Sequence, residues 1–250
     1  MDRDRAMRVW TSVALCAKRR GEPLTPAHAC LACVDALAVS GAALVLASDY
    51  GTTEPVYLTG AGAKALAELQ TTLGEGPGID AIASGTPVMA GDLGSVAAAG
   101  RWPVFAPEAA RRGTKSIYSV PLALGALRIG ALDLYRDDPG EPDREELMDA
   151  VVYADTALLL VLDDLGGIPT PSEAPEHAGR PVLWQAEVHQ AAGIVSVQLG
   201  VPVLDALVRL RAHAFGTGDP LSEVARAVVE RRLRLENGSN GFHRRREERS

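Results

Sequence analysis

The stretch from Gly166 to Arg180, GGIPTPSEAPEHAGR, constrains the fold more than any other feature of the chain. It holds three prolines and three glycines and has no apolar periodicity, so it reads as an extended, solvated linker. A chain of 250 residues divided at this point has room for two separately folded units. The expected organisation is a first domain over 1–165, a linker over 166–180, a second domain over 181–235 and a basic, disordered tail over 236–250. No internal repeat is visible.

Upstream of the linker, helical and strand patterns alternate. Residues 7–20 and 26–38 have helical spacing, and Ala42–Ser48 reads as a strand. Gly51-Thr52-Thr53 reads as a turn, Pro55–Leu58 as a strand, and Ala63–Leu73 as a helix ended by the glycines at 74, 76 and 78. A short helix over Ile79–Ser84, a strand over Thr86–Met89 and a helix around Ala106–Arg112 follow. Two longer strands, Ser116–Leu124 and Leu127–Tyr135, meet at a tight turn near Gly125. Strands at both ends with helices between them predict an α+β domain with an antiparallel sheet flanked by helices. A long helix over Glu145–Leu165 closes the domain, with Pro142 and Asp143 suited to its start. Its residues Leu147, Val151, Ala154, Leu158, Val161 and Leu165 form a heptad seam, and Met148, Val152, Leu159 and Leu162 a second stripe. One stripe suits the domain's own sheet, and the other suits a parallel homodimer.

Beyond the linker, three amphipathic helices predict an all-α three-helix bundle. The first runs Trp184–Leu199, with a stripe of Trp184, Val188, Ala191, Val195 and Leu199. The second runs Val203–Phe215, with Val203, Ala206, Leu207, Leu210 and Ala214 inward. The third runs Leu221–Leu233 behind Asp219 and Pro220 as N-cap and first-turn proline, with Leu221, Val224, Ala225 and Val228 inward.

The net charge of −7 is divided unevenly between the two parts. Residues 180–250 carry 11 arginines against 8 acidic residues, a net +3, while the remainder carries −10. An acidic front and a basic rear suit a sensor joined to a polyanion-binding unit. No apolar run is long enough to span a membrane, and the opening MDRDRAMRVW lacks a secretory apolar stretch, so a cytoplasmic protein is expected.

Catalytic and metal motifs are missing. The histidines His28, His177, His189, His213 and His243 do not pair at metal-ligand spacing on one helix face. Cys30 and Cys33 form a C-x-x-C inside an apolar helical pattern, which suits buried thiols better than a zinc site. Gly74-x-Gly76-x-Gly78 has no strand before it, and Gly60-Ala61-Gly62-Ala63-Lys64 lacks phosphate-loop spacing, so both read as turns. Asp92, Asp133, Asp137 and Asp138 are expected as solvated loop acids. No enzyme activity and no cofactor are expected. Trp102 and Phe105 line a pocket or plug the sheet edge, and Tyr118, Tyr135 and Asp133 alternate on strands with one or two facing any cavity.

The segment from His189 to Leu233 resembles the ANTAR domain, the RNA-binding module of transcription antitermination regulators. The resemblance is carried by Ala192-Gly193-Ile194-Val195, Gln198-Leu199-Gly200, Ala206-Leu207, Leu210-Arg211, Ala214-Phe215, Leu221 and Val224-Ala225. Many members have lysine before the glycine, where this chain has Ala192. The upstream domain resembles a GAF domain of the actinobacterial type, on LGEGPGID (73–80), GTPVMAGDL (85–93), RWPVF (101–105), Ser119-Val120-Pro121-Leu122 and Ile129-Gly130-Ala131-Leu132-Asp133-Leu134-Tyr135. The resemblance implies a GAF sensor, open to a small-molecule effector, controlling an ANTAR bundle that binds hairpin leader RNA as a homodimer.

RNA contacts are expected from Arg211, Arg209, His213, Gln198, Gly193 and Arg232. Arg211 carries the family match, and a guanidinium pairs bidentately with phosphate and stacks on loop bases. Its alternative role is an intramolecular pair bracing the bundle. Arg209 and His213 are i,i+4 neighbours on the other flank of the second helix. Gln198 either reads a base or caps its helix. Arg226 has Glu223 and Glu230 in reach for surface ion pairs. Arg231, Arg232 and Arg234 complement the dipole of the third helix or touch RNA, and Arg244–Arg246 add nonspecific attraction. Two other classes fit parts of the pattern: a DNA-binding helix-turn-helix regulator, and a ligand-binding GAF protein whose bundle only oligomerises.

Overall fold

The computed structural model describes residues 3–47, 53–125, 127–164 and 183–235. The predicted linker 166–180, the basic tail 236–250 and most of the turn at residues 51–53 lie outside the described residues. The chain divides into two compact units, Met1–Leu183 and Trp184–Ser250.

The first unit opens with helices α1 (Arg3–Arg20) and α2 (Pro26–Leu37). Asp4 in the first turn of α1 and Lys18, Arg19 and Arg20 in its last complement the helix dipole. Strands β1 (Gly41–Ala47) and β2 (Thr53–Thr59) follow, then helices α3 (Ala63–Leu73) and α4 (Pro77–Ser84). Next come β3 (Val88–Ala90), the short helices α5 (Val96–Arg101) and α6 (Phe105–Arg111), and strands β4 (Ser116–Leu124) and β5 (Leu127–Arg136). Helix α7 (Arg144–Asp164) closes the unit. The five strands form one antiparallel sheet in the order β2-β1-β5-β4-β3. The expected α+β architecture is thus observed. Helix α5 was not anticipated, and β3 lies two residues later than expected at its start.

Period-two alternation sorts the two faces of the sheet. Tyr118, Val120 and Leu122 of β4 and Leu132 and Leu134 of β5 point to the face covered by α1, α2 and α7. Ile117 and Tyr135 point to the opposite face, packing with Leu66, Leu93, Trp102 and Phe105. Cys30 and Cys33 are fully buried free thiols in the first of these cores. Burial pushes the Cys30 thiol up to about 12 and raises Cys33 as well.

Helix α7 starts with a reciprocal cap: Glu146 N donates to Asp143 Oδ1 at 2.8 Å, and Asp143 N donates to Glu146 Oε2 at 3.0 Å. Its heptad seam does not face outward. Ala154, Leu158 and Val161 are buried in the unit's own core because the helix lies across the sheet and α2. The second stripe is split: Val152 and Leu162 are buried, and Met148 and Leu159 are exposed. Leu165 lies outside the described residues.

The second unit contains α8 (Leu183–Leu199), α9 (Val203–Thr217) and α10 (Leu221–Val229). Val188, Ala191, Val195, Ala206, Leu207, Leu210, Ala214, Leu221, Val224, Ala225 and Val228 make its core, matching the predicted inward stripes. Val203, expected inward, is 39% exposed at the first turn of α9. Gly200 and Gly218 end the first two helices in the left-handed region, at φ +65° and +75°. Pro220, not Asp219, occupies the N-cap of α10. The third helix is shorter than predicted, since the backbone turns at Arg231 with φ +62°. Arg231, Arg232 and Arg234 therefore lie beyond the helix, where the expected dipole argument no longer applies.

Candidate functional site

The candidate nucleic-acid surface is built on α8 and α9. Arg211 sits half-buried on α9. Its Nε and Nη2 are buried without a hydrogen-bond partner, and desolvation lowers its pKa. The bracing pair proposed for it from sequence is not formed at those two nitrogens. Leaving a charged donor desolvated and unmatched costs stability. Arg209 is exposed on the other flank, and His213 is half-buried.

Gln198, near the end of α8, is half-buried with its Oε1 unpartnered, so that oxygen caps nothing. Gly193 stands mid-helix, yet an added Cβ there would meet nothing within 4 Å. The bundle itself gives no packing reason for a glycine. Gly193→Ala is therefore expected to stabilise the second unit by about 0.5–1 kcal/mol in thermal or urea unfolding. A loss of stability would contradict the open environment seen here.

Arg232 is exposed and tied to Glu230, Nη2 to Oε2 at 2.5 Å. Arg226 pairs with Glu187 of α8 at 3.3 Å, and not with Glu223 or Glu230 as expected. The pairing across helices wins because α10 packs its Val224–Val228 stripe inward, which leaves Arg226 exposed with Glu187 in reach. Sequence reading did not count Val208 and Phe215, which are 60% and 50% exposed, among the candidate contacts. They lie three residues before and four after Arg211, on its side of α9. An exposed aromatic ring beside an unmatched guanidinium is suited to base stacking as well as phosphate pairing.

In the first unit, the reading of Asp133 as a solvated loop acid is overturned, while its expected place on a strand is observed. It is 2% exposed in mid-β5, facing α3 and α4. Gln70 Nε2 of α3 donates to its Oδ2 at 2.6 Å, and Gly78 N of α4 donates to Gln70 Oε1 at 2.8 Å. Burial pushes the carboxyl up to about 6, with Ser119 and Gln70 opposing that shift. Ser119 stands opposite on β4 and, like Gln70, favours the charged form.

Trp102 and Phe105 are buried at 3% and 0%, packing beside the sheet. Trp102 Nε1 donates to Asp80 Oδ2 at 3.2 Å, and the Arg101 guanidinium lies 4.7 Å from the Trp102 ring centre. Glu75 Oε1 accepts from Val104 N at 2.8 Å and Phe105 N at 2.6 Å, anchoring the start of α6. A surface cleft of about 440 Å³ beside β3 is lined by Met89, Asp92, Ser95, Arg101, Trp102 and Glu141, among others. Among the described residues no group of His, Cys, Asp and Glu is placed to hold a metal, and no helix is long and apolar enough to cross a membrane.

No protein-family model matches the chain, and no curated protein matches it. Solved structures do. A GAF domain from a phosphoenolpyruvate-protein phosphotransferase of Coxiella burnetii is 15% identical, with 62% of this chain and 94% of that one covered and a TM-score of 0.46. A type II free methionine-R-sulfoxide reductase of Thermoplasma acidophilum is 16% identical over 61% and 96%, with a TM-score of 0.44. A GAF domain/HD domain protein of Geobacter sulfurreducens is 17% identical over 53% and 86%, with a TM-score of 0.42.

Proposed function

We propose that this chain is a signal-responsive, RNA-binding regulator of transcription antitermination. Its first unit is read as a GAF-like sensor and its second as an ANTAR-like bundle that binds hairpin leader RNA. The observation that carries the reading is Arg211: a desolvated guanidinium with two unmatched nitrogens, flanked by exposed Val208 and Phe215, in the segment that resembles ANTAR. A phosphate would supply the missing acceptors, and an unpaired loop base would cover the ring. The basic balance of residues 180–250, 11 arginines against 8 acidic residues, supplies attraction over longer range. A homodimer presenting two bundles to paired hairpins fits the same resemblance.

The test is equilibrium binding of the full chain to a tandem-hairpin leader RNA drawn from its host's transcripts, titrated with salt and competed with duplex DNA. Salt-sensitive binding that duplex DNA fails to displace is expected. Equal displacement by duplex DNA would favour the helix-turn-helix reading, and absence of binding at low salt would favour a bundle that only oligomerises. Gly193→Ala, stabilising by itself, is expected to weaken RNA binding if backbone approaches the ligand there.

A further inference from the structure

Helices α1 and α7 lie side by side and run in the same direction. Arg5 near the start of α1 pairs with Glu145 and Asp149 at 2.6 Å, and one turn and more further on Tyr153 Oη donates to Ser12 Oγ at 3.1 Å. On α1, Met7, Thr11 and Leu15 are exposed along an open hollow of about 560 Å³ that Ser12 also lines. On α7, Met148, Val152, Asp155 and Leu159 follow a 4-3-4 spacing, which sets them on one side of the helix. Met148 and Leu159 are exposed on that side, and Asp155 is half-buried. Large apolar side chains left exposed on two adjacent helices mark a contact surface.

Charge says what covers it. Helix α1 carries six basic residues against Asp4 alone, and α7 carries six acidic residues against Arg144 alone. Only part of this is matched inside the unit, through Arg5 with Glu145 and Asp149 and through Arg136 with Glu146. Lys18 and Arg19 at the end of α1, and Asp155 and Asp163 on α7, have no ion pair among the described residues. A surface that sets a basic helix beside an acidic one is complementary to itself when turned through a half rotation.

We propose that this face seats a second copy of the chain, with α1 of each protomer laid on α7 of its partner about a twofold axis. The contact then forms twice, so that each basic helix meets an acidic one and each exposed apolar stripe is covered. The 18 residues of α1 give about 27 Å of length, and two adjacent helices about 20 Å of width. The face therefore offers about 540 Å² per copy, or about 1,100 Å² in total, which reaches the size of a specific interface. This gives a surface to the homodimer named above, and RNA is not needed to form it.

The experiment is analytical ultracentrifugation of the full chain without RNA over a wide range of concentrations, and a reversible dimer is expected. Leu159→Gln, at an exposed position, should leave the fold intact by circular dichroism. It should weaken the dimer about a hundredfold, about tenfold at each of the two symmetric sites. Lys18→Glu with Arg19→Glu, and separately Asp155→Lys with Asp163→Lys, should each give monomers, because like charges then face each other. Mixed in equal amounts, these two variants should restore the dimer, since each reversed helix then meets an opposite one. Should either variant lose helix content, carbodiimide crosslinking of the parent chain decides. Lys18 is one of three lysines in the chain, and a dimer-sized product joined from Lys18 to Asp155 or Asp163 is expected. A monomeric parent, meaning that something other than a second copy covers the face, would overturn the proposal. So would a dimer indifferent to Leu159→Gln, a mixture of folded variants that stays monomeric, or dimer-sized products without the Lys18 linkage. None of these outcomes bears on RNA binding by the second unit.

Discussion

Arg211→Ala is expected to lower affinity for hairpin RNA by about ten- to a hundredfold while leaving the bundle as stable as before or slightly more stable. The loss corresponds to one charge-assisted contact of about 1.5–3 kcal/mol. It should be accompanied by a reduction of about one in the slope of log affinity against log salt, because one phosphate contact disappears. The stability half of the expectation comes from the free bundle, where Nε and Nη2 of Arg211 are buried without partners. Removing them relieves a desolvation cost, whereas removing a bracing ion pair would destabilise. Fluorescence anisotropy with labelled RNA and urea unfolding followed by circular dichroism check the two halves separately. Parent-like binding removes Arg211 from the interface, and a destabilised bundle restores the bracing role. Arg232→Ala, which breaks an exposed pair with Glu230, should change affinity far less.

The largest stability effect in the first unit is expected at Phe105. Its ring is 0% exposed, inside the core that also holds Leu93, Trp102, Ile117 and Tyr135, and its backbone N–H is held by Glu75. Phe105→Ala removes most of a buried aromatic and leaves a cavity that α6 can only partly collapse into, at a cost of about 3–5 kcal/mol. Phe105→Leu keeps much of the volume and should cost less than about 1.5 kcal/mol if the neighbours repack. Urea unfolding followed by circular dichroism reports the change. A cost below about 1 kcal/mol for the alanine variant would mean that this core is far more plastic than its packing indicates.

The elements easiest to read from sequence were those with strong local periodicity. The alternation of Ser116–Leu124 and of Leu127 onward gave β4 and β5 nearly to the residue, and Ala63–Leu73 appears as the helix expected. The inward stripes of α8 to α10 were also legible, since each helix buries one apolar face. Helix α5 was not, because Val96–Arg101 is one and a half turns of mostly small residues with no apolar stripe. The fate of the α7 seam was hidden too: its spacing describes a partner helix and a sheet equally well, and the sheet took it. Asp133 was misread for a related reason. Its partner Gln70 is 63 residues away, and nothing local to either says that the fold brings them together. Val208 was not singled out, and Phe215 was read only as part of the family match, because exposure of an apolar residue at the edge of a stripe depends on the angle at which helices pack, which sequence does not state.

The most direct test of the central claim is a crosslink-and-sequence survey of RNA bound to the full chain in its host. Enrichment of paired hairpins in transcript leaders, with crosslinked peptides mapping to the α9 segment around Arg211 and Phe215, is the predicted result. Recovery of no RNA above background, or of RNA attached only to the first unit, would contradict it.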